Sequence, residues 1–257
     1  MKKFFAIFSL VALSLTACDK GVDANGAKGE GSVAFKVGET TEVVDTRTNV
    51  SCTTPAAEDF SLRIEGVDAT YAADYDNITI FNENNYLVEG TYKAIVAAGD
   101  VKVEGYDKAA FVGSEEFVVE ARKHTDVEIT ATIANALVKV EVTEAFTNYF
   151  EGGHSLKLTT AAGNEFDVTE QTAPLFIAPG AFTVSGSAIK QPNQSGKDGV
   201  EVTLPECKND SAAAQTLYTV KLDVVNVGGA TLTIKLNDTL VESIDIEQEL
   251  NDNAEEA

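Results

Sequence analysis

Short stretches of alternating apolar and polar residues run through most of this sequence, separated by glycine, asparagine or aspartate. Ser32–Val37, Phe60–Gly66 and Asn77–Asn82 open the series, and Tyr92–Ala98, Glu115–Ala121 and Val127–Ile133 continue it. A second set follows at Leu137–Thr143, Ser155–Ala161, Phe182–Ala188 and Val200–Leu204, then at Leu217–Val225, Thr231–Asn237 and Glu242–Gln248. A period of two places alternate side chains on one face, so each stretch reads as a half-buried strand. Many short strands with turn residues between them predict an all-β protein built from antiparallel β-sandwiches rather than an α/β enzyme fold. Val227-Gly228-Gly229 falls between two strands and marks a hairpin. One short helix is expected at Glu144–Phe150, where Phe146, Tyr149 and Phe150 stand at i, i+3 and i+4 and form a lid on the core.

The pattern repeats once along the chain. Val88-Glu89-Gly90-Thr91-Tyr92-Lys93-Ala94 matches Ala178-Pro179-Gly180-Ala181-Phe182-Thr183-Val184. The glycine permits a tight entry turn, and the aromatic two residues later points inward. Ser61–Gly66 (SLRIEG) matches Ser155–Thr160 (SLKLTT) at nearly the same spacing. Two tandem copies of one sandwich module account for this better than one large barrel. The expected domains are residues 31–135 and 136–250, divided where one strand runs almost directly into the next at Ala134–Ala136.

The chain ends carry a different signal. Lys2 and Lys3 precede an apolar run, Phe4–Leu15, that is too short to span a bilayer and reads as the core of a secretory signal peptide. Leu15-Thr16-Ala17-Cys18 resembles the lipobox of bacterial lipoproteins. That resemblance implies removal of residues 1–17 and lipidation of Cys18 as the first mature residue. Residues 18–30 are polar and glycine-rich and read as a flexible tether, reaching roughly 40 Å when extended. Residues 251–257 read as a disordered acidic tail.

The net charge is −22, and loss of the two signal lysines makes the mature chain more acidic still. Nucleic acid and anionic lipid surfaces both demand basic patches, so neither suits the folded body. Besides Cys18 there are two cysteines, Cys52 and Cys207, which either pair as one disulfide or stand as independent thiols. Clustered Cys and His ligands for zinc are missing, and no metal or cofactor is expected. Esterase, metalloprotease and phosphate-loop motifs are absent. The two histidines, His124 and His154, fall in separate halves, which argues against a Ser-His-Asp triad. The expectation is therefore not an enzyme. Tyr71, Tyr75, Asn77 and Tyr86 form a candidate ligand loop, because tyrosine beside amides can hold a sugar by stacking and hydrogen bonding. Core tyrosines and turn asparagines are the alternative reading of the same residues.

The glycine–aromatic turn at Gly90 and Gly180 resembles that of transthyretin-like sandwich domains. The order of elements resembles Bacteroidetes-type surface lipoproteins of an uncharacterised family, in which a segment like Ile133–Val140 joins two sandwiches and a Phe/Tyr helix follows. The same bacterial group includes fimbrillin-like lipoproteins, where an arginine-specific protease removes the first strand and a neighbouring subunit fills the groove. By that resemblance Arg47 stands where the cut would fall. Asp210-Ser211-Ala212 and Asp238-Thr239-Leu240 resemble the O-glycosylation acceptor of this group, which marks Ser211 and Thr239. Together these features predict a lipid-anchored outer-membrane protein, exposed at the cell surface and non-catalytic. Adhesion or ligand binding would run through sandwich-end loops and take a protein or glycan partner. Strand-exchange assembly after cleavage at Arg47 and glycan capture are the alternatives.

Overall fold

The computed structural model describes residues 28–44, 49–67, 70–190, 199–226 and 230–245; for residues 226 and 242–245 it describes the backbone alone. The expected signal segment, Cys18, most of the expected tether, Arg47 and the expected acidic tail lie outside the described residues. The first half contributes β1 (Glu30–Thr40), β2 (Ser61–Gly66), β3 (Ala72–Tyr75), helix α1 (Ile78–Glu83), β4 (Tyr86–Val88), β5 (Gly90–Ala98), β6 (Gly105–Tyr106), β7 (Phe111–Val119) and β8 (His124–Ile133). The second half contributes β9 (Ala136–Val142), α2 (Glu144–Tyr149), β10 (His154–Thr160), β11 (Glu165–Asp167), β12 (Leu175–Ile177) and β13 (Gly180–Ile189). It ends with β14 (Glu201–Ala212), β15 (Leu217–Asn226), β16 (Ala230–Leu236) and β17 (Thr239–Asp245).

The fold is all-β and sandwich-type, as the alternation predicts. In the first half the strand order is β3-β2-β5-β7-β8-β1-β4. The sheet folds over between β7 and β8, which share only the register pairs Phe111↔Ile133 and Val112↔Thr132. Phe35 of β1 and Phe117 of β7 therefore face each other across the core, with ring centroids 5.3 Å apart. In the second half β11-β10-β13-β14 packs on β17-β16-β15-β9-β12-β6, and Phe182 meets Tyr218 across that core. Most pairings are antiparallel, but each half also holds one parallel pair, β1 with β8 and β9 with β15.

The two halves repeat one topology. Strands β1, β2, β3, β4, β5, β7 and β8 have as counterparts β9, β10, β11, β12, β13, β14 and β15 in the same order, except that β7 pairs with β8 whereas β14 and β15 lie in separate sheets. The register repeats too: Ile64 lies opposite Ala94 and Leu158 opposite Val184, both at corresponding positions of the matched motifs. Gly90 and Gly180 open β5 and β13 at φ 159° and 150°, and Tyr92 and Phe182 follow into the two cores. The second half adds β16 and β17 beyond β15. Residues 227–229, where the sequence predicts a hairpin, lie outside the described residues; on either side of them Asn226 of β15 pairs with Ala230 of β16.

Two sequence expectations need correction. Asn77–Asn82 is not a strand, and the chain has a second helix, α1, at that place. Asn77 Oδ1 accepts the Ile80 N–H at 3.1 Å and caps the helix. Ile78 and Phe81, three residues apart, then enter the core together. The alternation of Ile78 with Ile80 is misleading, since Ile80 is exposed. Helix α2 does form as expected, with Phe146 and Phe150 fully buried and Tyr149 packed beside them.

The halves are interlocked rather than strung together. Phe176 and Leu137 belong to the second half by sequence, yet their side chains complete the first core. In return β6 leaves the first half and pairs with β12 of the second. Just before β6, Glu104 Oε2 accepts from Thr160 Oγ1 and Asn164 Nδ2, both at 2.7 Å, and Oε1 accepts the Ala178 N–H at 2.9 Å. At the crossover, Asn135 is fully buried and its Oδ1 accepts the Ala110 N–H at 2.6 Å. Phe176→Ala removes a large side chain from a closed core and is expected to lower stability by about 3–5 kcal/mol in urea unfolding. Amide exchange in that variant should rise in residues 33–133, although the substitution lies outside them. Glu104→Gln replaces one accepting oxygen by a donor and should cost about 1.5–3 kcal/mol in the same assay.

Candidate functional site

A cleft of about 330 Å³ opens on the first sandwich, on the side where β3 and β4 end the two layers. Its walls are Tyr71, Tyr86, Leu87, Val88 and Tyr92, with Lys28, Glu30 and Glu89 on the rim. Local structure explains each position. Leu87 is the one inward residue of β4, so Tyr86 and Val88 face outward, at 63% and 40% exposure. The Gly90 turn brings Tyr92 back under the cleft, and Tyr92 Oη donates to the Val88 carbonyl at 2.8 Å. Tyr71 stands edge-on to Tyr92, ring centroids 5.5 Å apart.

The candidate loop of Tyr71, Tyr75, Asn77 and Tyr86 is only half assembled here. Tyr71 and Tyr86 line the cleft. Tyr75 packs edge-on against Phe81, and its hydroxyl lies 3.4 Å from that of Tyr71. Asn77 is occupied as the helix cap. Asn82 clamps β1, accepting from Phe35 N and donating to Phe35 O. Asp74 is bidentate to Arg63. These oxygens do not converge, and no group of three or more acidic, His or Cys side chains is placed for a metal among the described residues. Sequence reading missed the part played by Tyr92, Leu87 and Val88, although Tyr92 was visible as the aromatic of the repeated turn.

Burial pushes the Tyr71 hydroxyl well above the ordinary tyrosine range, and the hydrogen bond with Tyr75 adds to the effect. Burial raises Tyr92 likewise, and raises Tyr106 with help from the Asp167 carboxylate. Each of these groups keeps its proton in the folded state at a pH where the unfolded chain has lost it.

Cys52 and Cys207 are free thiols, so the candidate disulfide is not formed. Cys52 packs on the first core and Cys207 lies within the second, which keeps them apart. Burial raises both thiols, and the Asp107 carboxylate raises Cys52 further. Asp107 itself is held below its ordinary value by the Thr53 N–H and hydroxyl, each at 2.8 Å. Ser211 near the end of β14 and Thr239 at the start of β17 are both exposed.

Among the described residues a serine, a histidine and an aspartate do come together on one sheet face. Ser32 Oγ lies 2.8 Å from His124 Nδ1, and Asp126 Oδ1 lies 3.5 Å from Nε2. The trio stands on the open outer face of β1 and β8, with His124 at 51% and Asp126 at 68% exposure. Water reaches both groups, and the trio lacks the excluded setting in which such groups catalyse.

A family model described as a domain of unknown function (DUF4493) matches residues 29–252. No curated protein matches the sequence. Among solved structures, a candidate cell adhesion protein from Bacteroides eggerthii is similar at 10% identity and a TM-score of 0.43, covering 86% of this chain and 98% of its own. The fimbrial anchor protein Mfa2 from Porphyromonas gingivalis is similar at 10% identity and a TM-score of 0.38, covering 83% and 100%. Candidate polysaccharide-binding proteins from Bacteroides thetaiotaomicron are similar at 11% identity and a TM-score of 0.37, covering 86% and 99%.

Because Tyr71, Tyr92 and Tyr106 bind more protons folded than unfolded above about pH 10, stability should fall as pH rises through that point. Urea midpoints measured from pH 8 to 11 should decline, and tyrosinate absorbance of these residues should appear only with unfolding.

Proposed function

The chain belongs to the DUF4493 family, and we propose that it is a non-catalytic, lipid-anchored surface protein that binds partners at the open side of its first sandwich. The observation that carries this reading is the tyrosine-walled cleft with Tyr86 standing out from its rim. Exposed aromatic side chains on a rigid sheet suit recognition, because the strands fix their bases. The tether and lipobox supply the second support. Lys28 lies on the cleft rim, so an anchor at Cys18 would hold the cleft within roughly 35 Å of the outer membrane. We read residues 31–135 and 136–250 as the two sandwich domains, 18–30 as the tether and 251–257 as the tail. The exposed Ser211 and Thr239 would carry O-glycans.

Strand-exchange assembly is the second reading. Strand β1 lies between β4 and β8 and carries Val33 and Phe35 into the core. A cut at Arg47 would release it and leave a groove with unpaired edges. The mass and N-terminal sequence of protein taken from its native envelope separate the two. A lipidated start at Cys18 is expected, with added mass if Ser211 or Thr239 is glycosylated. A start at Thr48 would overturn the anchored-binder reading in favour of a polymerising subunit.

A further inference from the structure

The two sandwiches have the same open side and treat it differently. In the second, that side lies between β11 and β12, and β6 closes it. Gly105 and Tyr106 pair with Phe176 and Leu175, Tyr106 packs on the second core, and its hydroxyl donates to the Asp167 carbonyl at 3.2 Å. The closing strand is thus two residues long and brings one aromatic side chain. In the first sandwich the corresponding side lies between β3 and β4. Helix α1 fills part of it with Ile78 and Phe81, and the remainder is the cleft.

The edge of β4 is open in part: Tyr86 N–H donates to Asn84 O at 3.1 Å and Val88 O accepts from Tyr92 Oη at 2.8 Å, which leaves the Val88 N–H and the Tyr86 C=O for an added strand. Val33 N–H donates to Asn85 O and Glu89 N–H to Gly29 O, so residues 85, 87 and 89 bond to β1. The N–H and C=O of Tyr86 and Val88 consequently point away from it. An antiparallel strand laid here would set one side chain over Leu87, in the cleft bounded by Tyr71 and Tyr92.

We propose that β4 accepts an extended segment of a basic partner protein as an added antiparallel strand, with an aromatic side chain seated in the cleft. The proposal rests on the cleft being the binding site. Charge selects the partner: Glu30 and Glu89 flank the cleft against one cation, Lys28, so the rim is acidic on balance, and a chain of net charge −22 repels its own copies. Backbone hydrogen bonds supply the affinity, and the cleft selects the aromatic.

The test titrates the full chain with a blocked hexapeptide alternating tyrosine and lysine. The Val88 amide should shift and its exchange should slow by about tenfold or more. The same peptide N-methylated at alternate backbone nitrogens should not bind, a control that needs no change in the protein. Val88→Pro removes an N–H that β1 does not use and should abolish peptide binding. Tyr86→Ala leaves the backbone edge intact and should weaken binding by less than about tenfold. Binding indifferent to N-methylation and to Val88→Pro overturns strand addition. So does an unperturbed Val88 amide. If a dextran or mannan column then retains the chain through Tyr86, the cleft is a glycan site and the broader binding reading stands. If neither probe perturbs the cleft, both readings fall.

Discussion

Glu104 sits where the two sandwiches meet, and its carboxylate takes hydrogen bonds from three separate places in the second one: β10, the β10–β11 turn and the residue after β12. A charged acceptor satisfied three times fixes position and direction together. It holds the β5–β7 connection against the second sandwich, and β6 follows as an added strand on β12. Phe176, pinned between β6 and β9, can then turn its ring into the first core. Removing this anchor would loosen a sheet edge and a core at once, which ties the stability of either half to the other.

That interlock makes two copies of one module unequal. Register, entry glycines and inward aromatics are shared, so the scaffold is duplicated down to which residue faces which. The edges are not. Strand β12 spends its outer face on β6, while β4 keeps Tyr86 and Val88 turned to solvent. A short edge strand with a rim of carboxylates resists indiscriminate pairing and leaves room for a selected partner. The function we propose for this scaffold is therefore carried by an edge left partly open, in a molecule whose Ser-His-Asp alignment among the described residues lies flat and wet.

Long regular features were legible in the sequence because their physics is local. Strands such as β5 and β8 alternate over nine or ten residues, and the glycine–aromatic turn announces both β5 and β13. Helix α2 follows from the spacing of three aromatics. Asn77–Asn82 misled because a six-residue helix and a six-residue strand share much of one apolar pattern. The cap by Asn77 and the pairing of Ile78 with Phe81 decide it. Strands β3, β4, β6, β11 and β12 are two to four residues long, too short to show a period. They exist because a neighbouring strand offers an edge, which is tertiary information. The cleft was half legible for the same reason. Tyr71 and Tyr86 cluster in the sequence, whereas Lys28 and Tyr92 reach the site only through the fold.

The asymmetry of the two edges is the claim on which the rest depends. Amide hydrogen exchange of the native chain tests it without a ligand or a substitution. The account predicts that the amides of Leu175, Phe176 and Ile177 in β12 exchange slowly, near the limit set by global unfolding, while Val88 in β4 exchanges orders of magnitude faster. Equal protection of Val88 and the β12 amides would mean that β4 is already covered, and would contradict an open edge on the first sandwich.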